Sequence, residues 1–247
     1  MNLAIDIGNT RVKAAVFEED KLIELLIFDK KIIVSEIKKT IKKYAISGGI
    51  ISNVGSISER KMAQLNKNFD FIVISASLKV PFNNLYKTPN TLGVDRIALV
   101  AAAVKQFPKT NVLIIDAGTC ITFDFVDNNA TYLGGAISPG VKMRYKALNK
   151  FTANLPLIEA LEFDDFIGKN TEESIISGVL NGVKNEINGI IEDYYLKYLD
   201  LTVVLTGGDT NFLSKQLKSS IFANQNFLLQ GLNEILKFNQ HKWLKKF

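Results

Sequence analysis

Leu3-Ala4-Ile5-Asp6-Ile7-Gly8-Asn9-Thr10-Arg11-Val12-Lys13 decides how the rest of the chain is read. An apolar run reaches a carboxylate, bends through Gly8-Asn9-Thr10 and leaves along a second run that carries a lysine. Apolar residues flanking a Gly-Asn bend predict a tight β-hairpin, with Asp6 near the end of its first strand. In an ordinary hairpin Gly8 and Asn9 would supply positive φ there. Backbone N–H groups at such a bend can cradle phosphate oxygens. Lys13 can add a point charge, and Asp6 can hold Mg²⁺ directly or through water. An ordinary hairpin carries the same signals, so the stretch gains weight only if the chain repeats it.

It does. Val112-Leu113-Ile114-Ile115-Asp116-Ala117-Gly118-Thr119 matches the opening, with Asp116 lying 110 positions after Asp6. Each hairpin leads through a polar turn, 18–20 or 127–129, into a third strand, 21–28 or 132–137. Such an internal repeat implies a duplicated unit. After the first copy the pattern predicts a helix at 34–44 and a strand at 50–53. A helix at 58–66, a strand at 71–74 and an irregular Pro- and Asn-containing loop at 81–92 follow. An Ala-rich helix at 97–106 then runs to a boundary at Pro108-Lys109-Thr110. In the second half, Gly134-Gly135-Ala136-Ile137-Ser138-Pro139-Gly140 precedes a helix. A long helix is expected at 171–199, with Thr171 as its N-cap and Ile176, Val179, Val183, Ile187, Ile190 and Tyr194 along its apolar face. A strand at 201–206 ends in Gly207-Gly208-Asp209, and an amphipathic helix spans 227–238. Three strands followed by alternating strands and helices give an α/β layer architecture. The expected domains are 1–108 and 109–247, each long enough to bury a core.

Composition removes several function classes. Cys120 is the single cysteine, so no intramolecular disulfide forms, which fits a reducing compartment. It is expected to be a buried, inert thiol, with the one histidine, His241, far off in the tail. No basic leader precedes an apolar segment and no run approaches a membrane span, so a cytoplasmic protein without membrane contact is expected. The net charge of +5 comes from scattered lysines with only four arginines, and the basic Lys-Trp-Leu-Lys-Lys tail reads as solvated surface. Nucleic-acid binding, which favours clustered Arg with interleaved aromatics, is not expected.

Two Asp-Gly-Thr hairpins on similar domains can clamp a triphosphate from both sides, one supplying a metal-holding carboxylate and the other further backbone donors. Phosphoryl transfer needs little beyond positioning, charge neutralisation and a base for the incoming hydroxyl. The chain has no Gly-x4-Gly-Lys-Ser/Thr segment and is not a P-loop enzyme. Thr206-Gly207-Gly208, at a strand end, suits close backbone approach to a flat ring such as adenine; a plain strand-to-helix turn has the same composition. Asp95 can act as a base or can cap the helix from Ile97, and Arg96 offers a fork that fits a carboxylate. Asp116 can be a second Mg²⁺ ligand.

In order along the chain stand Asp-Ile-Gly-Asn-Thr-Arg-Val-Lys, Gly-Val-Asp-Arg, Asp-Ala-Gly-Thr, Gly-Gly-Ala-Ile-Ser-Pro-Gly, Gly-Lys-Asn-Thr and Thr-Gly-Gly. This series resembles type III pantothenate kinases, of the superfamily that includes acetate and sugar kinases and actin. The resemblance runs from residue 3 to about 237. It implies two RNase H-like (actin-like ATPase) domains, each a mixed sheet flanked by helices, with the active site in the cleft between them. It implies ATP-dependent phosphorylation of pantothenate, the first step toward coenzyme A, by a homodimer that uses Mg²⁺ and K⁺ or NH₄⁺. Carried onto this chain, the family pattern sets ATP against Asp6, Ile7, Gly8, Asn9, Thr10, Arg11, Val12, Lys13, Thr119, Gly207 and Gly208, with Asp6 also at Mg²⁺. Pantothenate falls to Tyr86, Gly93, Val94, Asp95, Arg96 and Thr171, with Asp95 as catalytic base. Asp116 takes the monovalent cation. The competing readings are a non-catalytic transcriptional accessory relative and another phosphotransferase of the superfamily.

Overall fold

The computed structural model describes residues 1–54, 57–163, 165–217 and 220–243, so the end of the basic tail lies outside the described residues. The first sheet begins with β1 (Asn2–Ile7), β2 (Val12–Glu18) and β3 (Lys21–Phe28). Then follow α1 (Ile33–Lys43), β4 (Gly48–Ser52), α2 (Glu59–Asn66), β5 (Ile72–Val73), β6 (Asn83–Asn84) and α3 (Val94–Gln106). The second half opens on β7 (Asn111–Ala117), β8 (Cys120–Val126), β9 (Thr131–Pro139) and α4 (Val141–Phe151). It continues with α5 (Thr171–Lys197), β10 (Leu201–Thr206), α6 (Thr210–Leu213) and β11 (Phe222–Ala223), and α7 (Phe227–Trp243) ends the helices. Among the described residues no helix is long and apolar enough to cross a membrane. The segment expected to be irregular at 81–92 contains the short strand β6 and a 3₁₀ turn at Pro89–Thr91.

Two compact units form. Unit 1 takes Met1–Pro108, Ala130–Leu133 and Asn226–Phe247, and unit 2 takes Lys109–Asn129 and Gly134–Gln225. Their sheets have one topology. The first sheet runs β3-β2-β1-β4-β5 and the second β6-β9-β8-β7-β10-β11, so that, β6 apart, the order is the same. In both, the first strand pairs antiparallel with the second and parallel with the fourth. The repeat seen in the hairpins therefore extends through five strands.

Unit 1 is built on the two faces of β1. Period-two alternation sends Leu3, Ile5 and Ile7 to one face, where they join Val12, Ala14 and Ile51 beneath Ile33 and Ile37 of α1 and Leu65 of α2. Asn2, Ala4 and Asp6 turn to the opposite face. There α7 packs on β1, β2 and β4 and against α3. Small residues bring these helices close: a Cβ built on Gly231 of α7 would strike the Ala98 carbonyl oxygen of α3. The buried polar residues on this face are paired, Asn2 Nδ2 donating to Asn233 Oδ1 at 2.9 Å and Asn233 Nδ2 to the Glu19 carbonyl at 2.7 Å. Lys237 of α7 adds an ion pair with Asp20 and another with Glu234 at 3.1 Å. These contacts explain why α7 groups with unit 1, whereas the sequence suggested an undivided second domain at 109–247.

In unit 2 the face of β7 carrying Leu113, Ile115 and Ala117 packs with Phe123 and Phe125 against Val179, Val183, Ile187 and Ile191 of α5. The N-cap of α5 is Asn170, not Thr171. Asn170 Oδ1 accepts from Glu173 N–H at 2.9 Å, and Glu173 returns bonds to Asn170 Nδ2 and Lys169 N–H. That reciprocal arrangement makes Asn170 the cap and satisfies Glu173 N–H, and Thr171 stands exposed as the first residue of the helix.

Gly231→Ala separates packing from propensity. Helix propensity alone would stabilise the protein by about 1 kcal/mol. Overpacking against the Ala98 carbonyl instead predicts destabilisation of roughly 1–3 kcal/mol. Urea unfolding of the variant is expected to show a lower midpoint at unchanged slope.

Candidate active site

Asp6 is the last-but-one residue of β1, and its register neighbours are Lys13 on β2 and Ser52 on β4. Burial pushes the Asp6 carboxyl up from 3.8 to about 6. The neighbouring Ser52 hydroxyl pulls it down, the negative charge of Asp95 raises it further, and Lys13 pulls it down. The carboxylates of Asp6 and Asp95 thus share one electrostatic neighbourhood within unit 1. The bend that follows is closed by Gly8 N–H donating to the Arg11 carbonyl at 3.1 Å. Asn9, Thr10 and Arg11 are exposed, whereas the side chains of Ile7 and Val12 are fully buried. Anything Ile7 or Val12 offers a ligand is therefore backbone. Neither Gly8 nor Asn9 adopts positive φ, so the bend is not the ordinary hairpin turn in which Gly and Asn would supply it. A four-residue bend between Ile7 and Val12 spreads the reversal over more torsions than a two-residue turn does.

The start of α3 supplies the second carboxylate. Gly93 is the N-cap and the helix begins at Val94, so Asp95 lies in the first turn instead of capping a helix from Ile97. Its Oδ1 accepts from Arg96 N–H at 2.9 Å, where the helix dipole favours negative charge. A Cβ on Gly93 would run into that carboxylate, which gives the glycine a steric reason. Arg96 is 4% exposed, and its guanidinium lies 5.5 Å from the centre of the Tyr86 ring. Gly93, Val94, Asp95, Arg96 and Tyr86 thus cluster in unit 1 with Asp6.

Unit 2 repeats the frame with other chemistry. Asp116 pairs in register with Thr122 on β8 and Thr206 on β10, the positions that Lys13 and Ser52 hold beside Asp6. Its bend closes by the equivalent bond, Gly118 N–H to the Cys120 carbonyl at 2.9 Å. The bend is one residue shorter because nothing corresponds to Asn9. Gly207, at φ 98°, lies against Asp116: a Cβ there would strike the Ala117 carbonyl and an Asp116 carboxylate oxygen. Asp209 N–H donates to the Ala117 carbonyl at 3.0 Å, which ties the Thr206-Gly207-Gly208-Asp209 turn to the bend. A Cβ on Gly140, the N-cap of α4, would meet the carbonyls of Gly118 and Thr119. Burial raises the Asp209 carboxyl, with Lys142 opposing. Asp116, Gly118, Thr119 and Gly207 therefore gather in unit 2, with Thr119 and Gly208 exposed. Cys120 is a free thiol that is only half-buried, because it opens β8 beside the bend; the sequence suggested a buried one.

Ser52 and Lys142 were not singled out from the sequence, and Thr206, Gly140 and Asp209 stood there only as members of motifs. Strand register is what brings Ser52 and Thr206 beside the two aspartates. The recurring polar residue at the end of each fourth strand was the available signal.

A family model described as type III pantothenate kinase matches residues 2–193. The chain belongs to the type III pantothenate kinase family. The type III pantothenate kinase of Christiangramia forsetii is 51% identical over 241 residues, covering 97% of this chain and 99% of that one. Among solved structures, a conserved putative Baf family transcriptional activator from Campylobacter jejuni aligns with a TM-score of 0.64 at 23% identity, over 97% of this chain and 99% of its own. An activator of 2-hydroxyisocaproyl-CoA dehydratase from Clostridium difficile, with bound ADPNP, aligns at 0.57 and 11% identity over 100% and 97%. At such identities the two structures speak for the fold, the actin-like α/β fold that the resemblance implied.

The residues fit the ions that such a family implies. Among the described residues no three His, Cys, Asp or Glu side chains gather as a preformed metal cage. Mg²⁺ bound through one or two carboxylates plus substrate phosphates needs none, and a carboxyl held near 6 by burial gains from a cation. Beside Asp116 the register neighbours are two threonines, whose hydroxyls are oxygen ligands of the kind a hard cation takes.

Because Asp6 titrates near 6 in the folded chain and near 3.8 unfolded, its burial carries no penalty below the lower value. The penalty develops as pH rises from about 3.8 and is complete once the folded chain has titrated, above about 6. Without divalent ions, Asp6→Asn is expected to raise stability by roughly 1–3 kcal/mol at pH 8 and to leave it little changed near pH 4. Thermal melts at the two pH values check this.

Proposed function

We propose that the protein transfers the γ-phosphoryl group of ATP to the primary hydroxyl of pantothenate, giving 4′-phosphopantothenate and ADP, the first step of coenzyme A biosynthesis. Membership of the family supports the reaction class. The observation that carries the reading for this chain is the Asp6–Asp95 pair, two carboxylates in one field with separate tasks.

The residues then take these roles. Backbone donors of the 8–11 bend and the Lys13 ammonium hold the ATP phosphates. Asp6 holds Mg²⁺, which when bound offsets the charge on the transferred group. Asp95 accepts the hydroxyl proton as the new O–P bond forms and the bond to ADP breaks. Arg96 holds the pantothenate carboxylate through its fork, with Tyr86, Gly93 and Val94 lining the same pocket. Thr119, Gly207 and Gly208 receive ATP in unit 2, the two glycines by close backbone approach. Thr171, not engaged as a cap, is available to the acceptor, and Asp116 takes K⁺ or NH₄⁺. A cytoplasmic homodimer completes the reading.

The deciding experiment is an ATP-consumption assay with pantothenate against glucose, acetate and polyphosphate. Turnover with pantothenate alone is expected, and preference for another acceptor would overturn the proposal. Asp95→Asn is expected to lower kcat by about 100-fold while nucleotide binding, read by calorimetry, stays within a factor of two or so. Replacing K⁺ and NH₄⁺ by Na⁺ is expected to abolish turnover; indifference would move Asp116 to a second divalent ion.

A further inference from the structure

Tyr132 lies on the segment Ala130–Leu133, which groups with unit 1 although unit 2 residues flank it on both sides. The segment is bounded by two left-handed residues, Ala130 at φ 55° and Gly134 at φ 114°. An alanine rarely adopts that conformation, so the turn is held by its surroundings. The backbone of β6 supplies the hold: Asn83 N–H donates to the Ala130 carbonyl at 2.9 Å, and Leu85 N–H to the Tyr132 carbonyl at 3.1 Å. The Tyr132 ring is fully buried. It stacks with Tyr86, centroids 6.1 Å apart and planes 20° from parallel, and meets Phe82 edge-on at 6.2 Å. Tyr86 in turn carries the Arg96 guanidinium over its ring.

We infer that Tyr132 is a positioning residue for the acceptor site: its ring fixes Tyr86, and Tyr86 fixes the Arg96 fork for the substrate carboxylate. The inference rests on the role proposed for Arg96. Tyr86 is only half-buried and sits on a loop, so the stacked ring of the fully buried Tyr132 gives its side chain a rigid support. A guanidinium can engage both carboxylate oxygens only in a narrow range of orientations. A fixed ring under it narrows that range before substrate arrives, lowering the ordering cost of binding. The effect belongs to substrates with a carboxylate and to the ring of Tyr132, not to its hydroxyl.

The test uses two acceptors: pantothenate, and its alcohol analogue in which a hydroxymethyl group replaces the carboxylate. Tyr132→Leu is expected to raise the KM for pantothenate roughly three- to tenfold, leaving kcat, the KM for ATP and the KM for the alcohol near their original values. Tyr132→Phe, which keeps the ring, is expected to restore the pantothenate KM. Tyr132→Met serves as a second truncation if the leucine variant does not fold. Equal changes for both acceptors, or no change for either, would overturn the inference. Arg96→Gln separates the two levels of the argument. If it fails to discriminate between the acceptors, the role of Arg96 falls; if it discriminates and the Tyr132 truncations do not, the inference alone falls.

Discussion

A carboxylate held largely out of water at the end of a central strand is the constraint on which unit 1 depends. Asp6 is placed there by an apolar strand that alternates Leu3, Ile5 and Ile7 into one core and Asn2, Ala4 and Asp6 toward α7. Its proton affinity is raised by burial and by the neighbouring Asp95, and only Ser52 and Lys13 oppose. Packing alone would favour a neutral residue at this position. A second carboxylate at the N-terminus of α3 adds to the imbalance. The fold therefore keeps a concentrated deficit of positive charge where a metal-bound phosphate would relieve it, a stability loss of the kind functional sites retain.

Duplication then supplies a second frame. The two sheets share the strand order third-second-first-fourth-fifth, and the two bends close with the same hydrogen bond. What differs is side-chain chemistry at equivalent positions. Lys13 flanks Asp6 where Thr122 flanks Asp116, and Asn9 lengthens the first bend. The lysine adds a cation of its own beside Asp6, as the proposed phosphate site requires. Thr122 sets a hydroxyl beside Asp116 in place of that ammonium, and Gly207 gives the neighbouring turn close access to it. One backbone solution thus carries two electrostatic settings, and the difference lies in a few residues at strand ends.

The hairpins, the long helix α5 and the α/β alternation were legible in the sequence because each is a local pattern of apolar period and turn residues. The motif order carried the family. Features that depend on distant strands meeting were not legible. Ser52 stands beside Asp6, and Tyr132 beneath Tyr86, only through register and stacking across tens of residues. Cap details also escaped: Asn170 outcompetes Thr171 because Glu173 completes a reciprocal box, and Gly93 starts α3 earlier than the apolar run suggested. The positive φ that an ordinary hairpin would place at Gly8 and Asn9 is absent there, and the positive-φ glycines are Gly134 and Gly207. The length of the connection, not its composition, decided that outcome. The grouping of α7 with unit 1 rests on Gly231 and Asn233, whose partners are more than a hundred residues away.

Carbon-13 NMR titration of the Asp6 side-chain carboxyl, first in the metal-free protein and then with Mg²⁺ and a non-hydrolysable ATP analogue, tests the central claim most directly. The account predicts a midpoint about 6 in the free protein and a marked fall once metal and nucleotide are bound. A midpoint in the ordinary aspartate range in the free protein, or one that metal and nucleotide leave unmoved, would contradict it.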